Sequence, residues 1–287
     1  MTTRRDFLKI SGLLSGACFL PGILSAIPAE TQAKLPHFGI ITGNTAGKWL
    51  EENPRKALKE LAALGYRDLE FGGDFGMGVP ALKTFLKECK LRPVAGPTSM
   101  NAMHDTQQLM KDIKACQELG QEYIVCYWPW TDGGENKTLD DWKKVADNLN
   151  KGGAICKKEG LKLLTHNHDI EFRLTEGQLP FDTLVPALDP ELVNVELDLY
   201  WVNKGNQSPE TFIRKYPGRF PIFHVKDMDK TPGRGFAYVG EGCIDFPSIF
   251  RLNKTAGVKH FIVEHDNPEN PELCVKTAAR YLSGLKF

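Results

Sequence analysis

Four short stretches of this chain carry imidazoles and carboxylates at a spacing of two. Leu164-Thr165-His166-Asn167-His168 sets His166 and His168 on one face of an extended strand, opposite Thr165 and Asn167. Glu196-Leu197-Asp198 does the same for Glu196 and Asp198, and His224-Val225-Lys226 for His224 and Lys226, while Glu264 ends the apolar run Phe261-Ile262-Val263. Each alone reads as a hydrogen-bonded polar group at a strand end. Jointly, two His, one Asp and one Glu make a mixed nitrogen and oxygen donor set that suits Mn²⁺, Co²⁺, Fe²⁺ or Zn²⁺ better than Ca²⁺. Burying that much polarity without an ion leaves charge uncompensated. The expected cofactor is one divalent metal ion, with Mn²⁺, Co²⁺, Zn²⁺ and Mg²⁺ as the candidates.

Other residues carry two readings each. Lys226 shares the His224 face; near a divalent cation its pKa should fall, making it an acid/base group, and the alternative is an ion pair with Asp227 or Glu196. Glu70 ends a strand pattern and suits sugar hydroxyls, or else bridges to Arg67 or Arg92; Glu196 is grouped with it as substrate-binding. Trp128, Trp130 and Trp201 lie just past strand ends, where an indole face would stack on a pyranose ring or simply pack. The glycine-rich Gly72–Gly78 lacks the spacing and the Lys-Ser/Thr of a phosphate loop. Lys230–Gly242 reads as a mobile loop over the cavity mouth.

The elements that must position these groups follow from the pattern. Strands are expected at Phe38–Thr42, Arg67–Phe71, Arg92–Ala95, Tyr123–Tyr127, Lys162–His166, Val193–Leu199, Pro221–Lys226 and Phe261–Glu264, with amphipathic helices at Pro54–Leu64, Pro80–Cys89, Asp105–Leu119, Leu139–Glu159 and Pro271–Leu282. Strands recur every ~26 to ~39 residues, the length of a strand-helix crossover. Leu119-Gly120 and Glu159-Gly160 end helices in the C-cap manner. This alternation predicts an α/β fold, a single (β/α)8 TIM barrel over residues 34–287. An open doubly wound sheet would alternate likewise, but here the reactive residues gather at C-terminal strand ends on most strands rather than at one switch point.

With those residues in hand, the chain resembles the xylose-isomerase-like TIM-barrel superfamily, which includes sugar isomerases and epimerases, inosose dehydratase-type enzymes and endonuclease IV. The resemblance spans residues 38–285 and rests on Gly65-Tyr66-Arg67-Asp68-Leu69-Glu70-Phe71, His166-Asn167-His168-Asp169-x-Glu171-Phe172, Glu196-Leu197-Asp198-Leu199-Tyr200-Trp201, His224-Val225-Lys226-Asp227, Gly240-Glu241-Gly242 and Val263-Glu264. It implies metal ligands His166, Asp198, His224 and Glu264, with His168 as an alternative to His166. In the epimerases the fifth-strand ligand is a glutamate that doubles as one of two opposed proton carriers; here it is His166, whose lone pair a metal would occupy, so symmetric two-base chemistry is disfavoured. The implied reaction is proton abstraction beside a sugar carbonyl, by His168 or Lys226 with Glu264. The leading expectation is a lyase that cleaves 3-keto-glycosides by elimination across C1–C2. An isomerase or epimerase working through an enediolate is the alternative, and a sugar-binding protein without turnover the third.

Composition bounds the rest. The 287 residues are 41% hydrophobic and 25% charged, which excludes collagen-like and disordered chains, and 36 basic residues balance 36 acidic ones, leaving no field to draw nucleic acid. Thr3-Arg4-Arg5-Asp6-Phe7-Leu8-Lys9, followed by a Gly- and Pro-broken apolar run, resembles a twin-arginine export signal over residues 1–33. It implies a periplasmic protein without a membrane span after cleavage. Cys18 would mark a lipid tether, but Ser15 stands where such a box wants Leu. The six later cysteines are expected to be buried thiols rather than a disulfide framework. The expected partner is a small carbohydrate, with a second copy of the chain and a sugar-oxidising dehydrogenase as further candidates.

Overall fold

The computed structural model describes residues 33–134 and 137–287, so Cys18 and residues 1–32 of the expected export signal lie outside the described residues. Eight strands close a parallel barrel: β1 (Phe38–Ile41), β2 (Tyr66–Glu70), β3 (Arg92–Thr98), β4 (Tyr123–Cys126), β5 (Lys162–His166), β6 (Val193–Asp198), β7 (Ile222–Val225) and β8 (His260–Val263). β1 closes the ring by pairing with both β8 and β2. Helices cover the outside: α1 (Pro54–Ala63), α2 (Val79–Cys89), α3 (Thr106–Leu119), α4 (Leu139–Lys158), α5 (Pro180–Ala187), α6 (Pro209–Lys215), α7 (Phe246–Phe250) and α8 (Pro271–Gly284).

Strand alternation sorts the apolar residues into two cores. Val94, Tyr123, Val125, Leu164, Ile222 and Ile262 cluster inside the barrel. Their chain neighbours Ile124, Leu163, Phe223 and Val263 point outward and join the helices in the larger core. Gly39 faces inward, where a Cβ would lie 2.5 Å from the Asp68 carbonyl oxygen, so this crowded turn of the barrel wall admits only glycine.

Helix ends obey the local chemistry read from the sequence. Asp105 caps α3 by accepting from Gln107 and Gln108, and Gly120 closes it at φ 81°. Thr138 and Asp141 form a reciprocal capping box at the start of α4. β3 runs on to Thr98, past the expected stop at Ala95, because its ladder to β4 continues through Thr98 and Cys126. The short helices α5, α6 and α7, each with Pro in its first turn, are too brief for a helical period to show in sequence. All six described cysteines are free; Cys243 is exposed, contrary to the expectation of burial, because it lies in a loop rather than in an element. No helix of the described residues is long and apolar enough to cross a membrane.

Candidate metal centre

Barrel register brings the four C-terminal strand ends to one level: His166 pairs with Glu196, and Asp198 with His224. His166, Asp198, His224 and Glu264 are all buried, and each offers a donor atom within 4.8 Å of the others. Asp198 uses Oδ1 to accept from the Trp201 backbone N–H at 2.8 Å, capping the short helix Leu199–Lys204. Its Oδ2, 3.9 Å from His166 Nε2, is buried without a hydrogen-bond partner. Glu264 Oε2 lies 2.9 Å from His224 Nδ1.

A layer of carboxylates underlies the two imidazoles. Glu196 Oε2 sits 3.1 Å from His166 Nδ1 and 3.2 Å from His224 Nε2, and Glu70 Oε1 lies 3.3 Å from that same Nε2. Each ring therefore spends one nitrogen on the layer below and turns the other toward the cluster, the arrangement by which buried carboxylates orient metal-binding histidines. This corrects the substrate-binding reading of Glu70 and Glu196: both are fully buried beneath the imidazoles. Glu70 accepts from the Tyr127 hydroxyl, while Arg67 turns to backbone carbonyls and Arg92 to Asp68.

Charge in this cluster is out of balance. Burial pushes the Asp198 carboxyl up to about 8 against the pull of Lys226, and burial with Glu70 raises Glu196 well above the carboxylate range. Burial alone would depress His224, but Glu196, Glu70 and Glu264 hold its pKa well above the usual imidazole value. His166 moves the other way, lowered by burial and by the neighbouring imidazoles. Protons thus supply the positive charge that the donor set lacks. Two imidazole nitrogens and two carboxylates, one of them with an unpartnered oxygen, fit a divalent ion of the N/O-binding kind.

Lys226, only 1% exposed, stands beside the cluster with Nζ 3.1 Å from Glu264 Oε2 and 3.6 Å from Asp198 Oδ2, and donates to Asp266. The rings of Trp201 and Phe236 lie 5.0 Å from it. With no ion bound, Glu264, Asp198 and Asp266 raise its pKa despite burial, and they, rather than the expected Asp227 or Glu196, are its carboxylate partners. Asp227 is engaged elsewhere: its carboxylate accepts from the backbone N–H groups of Met228, Gly240, Gly242 and Ile244. That anchor pins the loop expected to be mobile, and a Cβ at Gly242 would come 2.2 Å from Asp227 Oδ1. The loop forms a small ribbon, Asp227–Met228 against Phe236–Ala237, that lays Phe236 over Lys226.

His168 lies over His166 with ring centroids 4.8 Å apart, between Trp128 at 5.0 Å and Trp201 at 5.4 Å. Burial and Lys226 push its pKa to about 4, so the ring is neutral at pH 7, and its buried Nδ1 has no hydrogen-bond partner. Trp128 is 36% exposed beside it, whereas Trp130 packs edge-on to Trp142 of α4, away from the cluster. Sequence reasoning missed Asn44, whose Nδ2 donates to Glu264 Oε1 at 2.7 Å, and Asp266. Extending the period-two reading one step past Glu264 finds Asp266; Asn44 sits in the short helix Thr42–Thr45 after β1 and carries no comparable signal.

A model of the family described as Xylose isomerase-like TIM barrel matches residues 58–285. An inosose dehydratase of Geobacillus kaustophilus (strain HTA426) is 27% identical over 230 residues, covering 68% of this chain and 74% of that protein. The crystal structure of a sugar phosphate isomerase/epimerase from Parabacteroides distasonis superposes with a TM-score of 0.75 at 25% identity, covering 91% of this chain and 98% of that one. The structure of the IOLI protein with a binding zinc atom superposes with a TM-score of 0.67 at 18% identity, covering 85% of this chain and 95% of that one.

Proposed function

This chain belongs to the Xylose isomerase-like TIM barrel family, and from that premise we propose that it is a metal-dependent lyase that cleaves 3-keto-glycosides by β-elimination across C1–C2. Its ligands are His166, Asp198, His224 and Glu264. The zinc of the IOLI structure, held on the same fold, supports a divalent ion without fixing which one. When bound, the ion supplies Lewis-acid stabilisation to a ketone oxygen as negative charge develops on it. The inosose dehydratase relative, named for an elimination of water, supports the reaction class.

The His168 imidazole takes the C2 proton that the 3-keto group has acidified; the C2–H electrons become the C1=C2 double bond, and the C1–O bond breaks. The departing aglycone oxygen collects a proton, for which the Lys226 ammonium is the donor. Trp128 and Trp201 flank His168 and face the sugar ring. The observation that carries this reading is His166. One of its nitrogens meets Glu196 and the other turns toward Asp198, so His166 is not free to act as a second proton carrier. One-base elimination needs none.

The resemblance of residues 1–33 to a twin-arginine export signal favours a periplasmic glycoside as substrate, with an oxidising dehydrogenase to supply its 3-keto group. The isomerase/epimerase reading draws on the Parabacteroides neighbour and would use Glu264 as the second proton carrier. Proton NMR in D₂O separates the two. Mn²⁺-loaded protein mixed with an aryl 3-keto-glucoside should release the aglycone and an unsaturated keto-sugar, and a chelator should stop it. Deuterium entering C2 with the glycosidic bond intact would instead establish epimerase chemistry.

A further inference from the structure

A groove of about 640 Å³ opens on the same end of the barrel, between the short helices Thr42–Thr45 and Gly47–Glu52 that follow β1 and the loop that follows β8. Its volume lies in the range that holds a small-molecule ligand. Asn44 forms part of its wall and also donates to Glu264 Oε1 at 2.7 Å, so groove and metal cluster share one side chain. The Asn44 carbonyl oxygen, Oδ1, is buried without a hydrogen-bond partner. His168, flanked by Trp128 and Trp201, packs against the ligand imidazole of His166, and Asn44 is the side chain that joins the groove to the cluster.

We propose that this groove is a second glycosyl subsite, and that the leaving group of the reaction is itself a neutral sugar; this rests on the lyase reading above. Its lining decides the class of ligand. Glu51, Glu52 and Glu269 face one Lys48, while Glu272 is already paired with Lys276 and Asn270 caps α8. That excess of carboxylate repels uronates, sulfates and phosphates. Carboxylate and amide oxygens accept hydrogen bonds from hydroxyl pairs, and the half-buried Trp49 offers the flat apolar face on which a pyranose stacks. A flat aromatic leaving group would waste most of this polar lining and desolvate it without compensation.

The test separates binding from turnover. Isothermal titration of the Mn²⁺-loaded protein with methyl β-cellobioside, methyl α-maltoside and the matching methyl glucosides reads the subsite directly. At least one disaccharide should bind tenfold or more tightly than its monosaccharide, and that ratio should fall toward one in Trp49→Ala. Because Trp49 also packs on the core, the exposed Glu51→Ala provides a second variant, which should lower the same ratio. Equal affinities for mono- and disaccharide throughout, or a ratio that neither variant moves, would overturn the subsite. Turnover of an aryl 3-keto-glucoside, which has no second sugar, reports on the lyase reading alone.

Discussion

At the N-terminal mouth of the barrel, Asp68 is fully buried and meets Arg92 at 2.6 Å, His260 Nδ1 at 2.8 Å and His37 Nε2 at 3.1 Å. At the C-terminal mouth, Glu70, Glu196, Asp198, Glu264 and Asp266 share Lys226 and two imidazoles. Both ends bury carboxylates, but in opposite electrostatic states. Burial would raise Asp68, yet hydrogen bonds from His260 and His37 hold it far below the usual range. Asp198 and Glu196 are instead pushed up, toward holding protons. Asp68, His37 and His260 also converge closely enough to ligate an ion. There, however, a guanidinium already sits on the one carboxylate available. Donor count alone does not distinguish the two ends; the surplus of carboxylates over built-in cations does, and it singles out the C-terminal mouth for a divalent ion.

The largest expected effect breaks the C-terminal cluster. His224→Ala or Glu264→Ala should abolish metal binding and activity together, by more than about 10³-fold in kcat/KM, as judged by metal analysis and the NMR assay. A variant that kept activity without metal would refute the ligand assignment. Next, His168→Ala should lower kcat by about 10²- to 10⁴-fold, the usual worth of a general base, with one ion per chain retained.

The other two perturbations sharpen the contrast through stability. Asp68→Asn should destabilise the fold by about 2 kcal/mol, the scale for losing charge-assisted hydrogen bonds to a buried carboxylate whose Arg92 partner is half exposed, without changing metal content. Asp68 has a depressed folded pKa, so its stabilisation is present above the unfolded carboxylate value near 4 and is lost as pH falls below it. The variant should therefore lack the wild-type loss of melting temperature on that acid limb. Glu171 has the opposite sign. It is buried, accepts from the His168 backbone N–H at 2.8 Å, and is pushed up to about 8 by burial. Wild-type stability should fall as pH rises from the unfolded carboxylate value toward 8, at a slope of about 1 kcal/mol per pH unit. Glu171→Gln should flatten that slope in melting curves taken at pH 6, 7 and 8.

The barrel and the four donor residues were legible because a strand alternates strictly and because each donor lies at a strand end. His166 ends β5 and Asp198 ends β6, so their level follows from chain order once the barrel closes. What the alternation could not give is depth. Glu196 lies one step before Asp198 on the same face and Glu70 ends β2, yet both are fully buried against the imidazoles, which turns an expected substrate contact into a support. Partners across loops were equally hidden: the contact from Asn44 to Glu264 joins residues 220 apart, and Lys226 found Asp266 rather than its chain neighbour Asp227. Asp227 itself, read as an ion-pair partner, collects backbone N–H groups of a loop whose shape no local pattern encodes.

Metal content of the purified chain, compared between wild type, His166→Ala and His37→Ala after dialysis against Mn²⁺ or Zn²⁺, tests the central claim most directly. One divalent ion per chain should be found in wild type and in His37→Ala, and none in His166→Ala. An ion lost with His37 and kept with His166, or no ion in wild type, would contradict it.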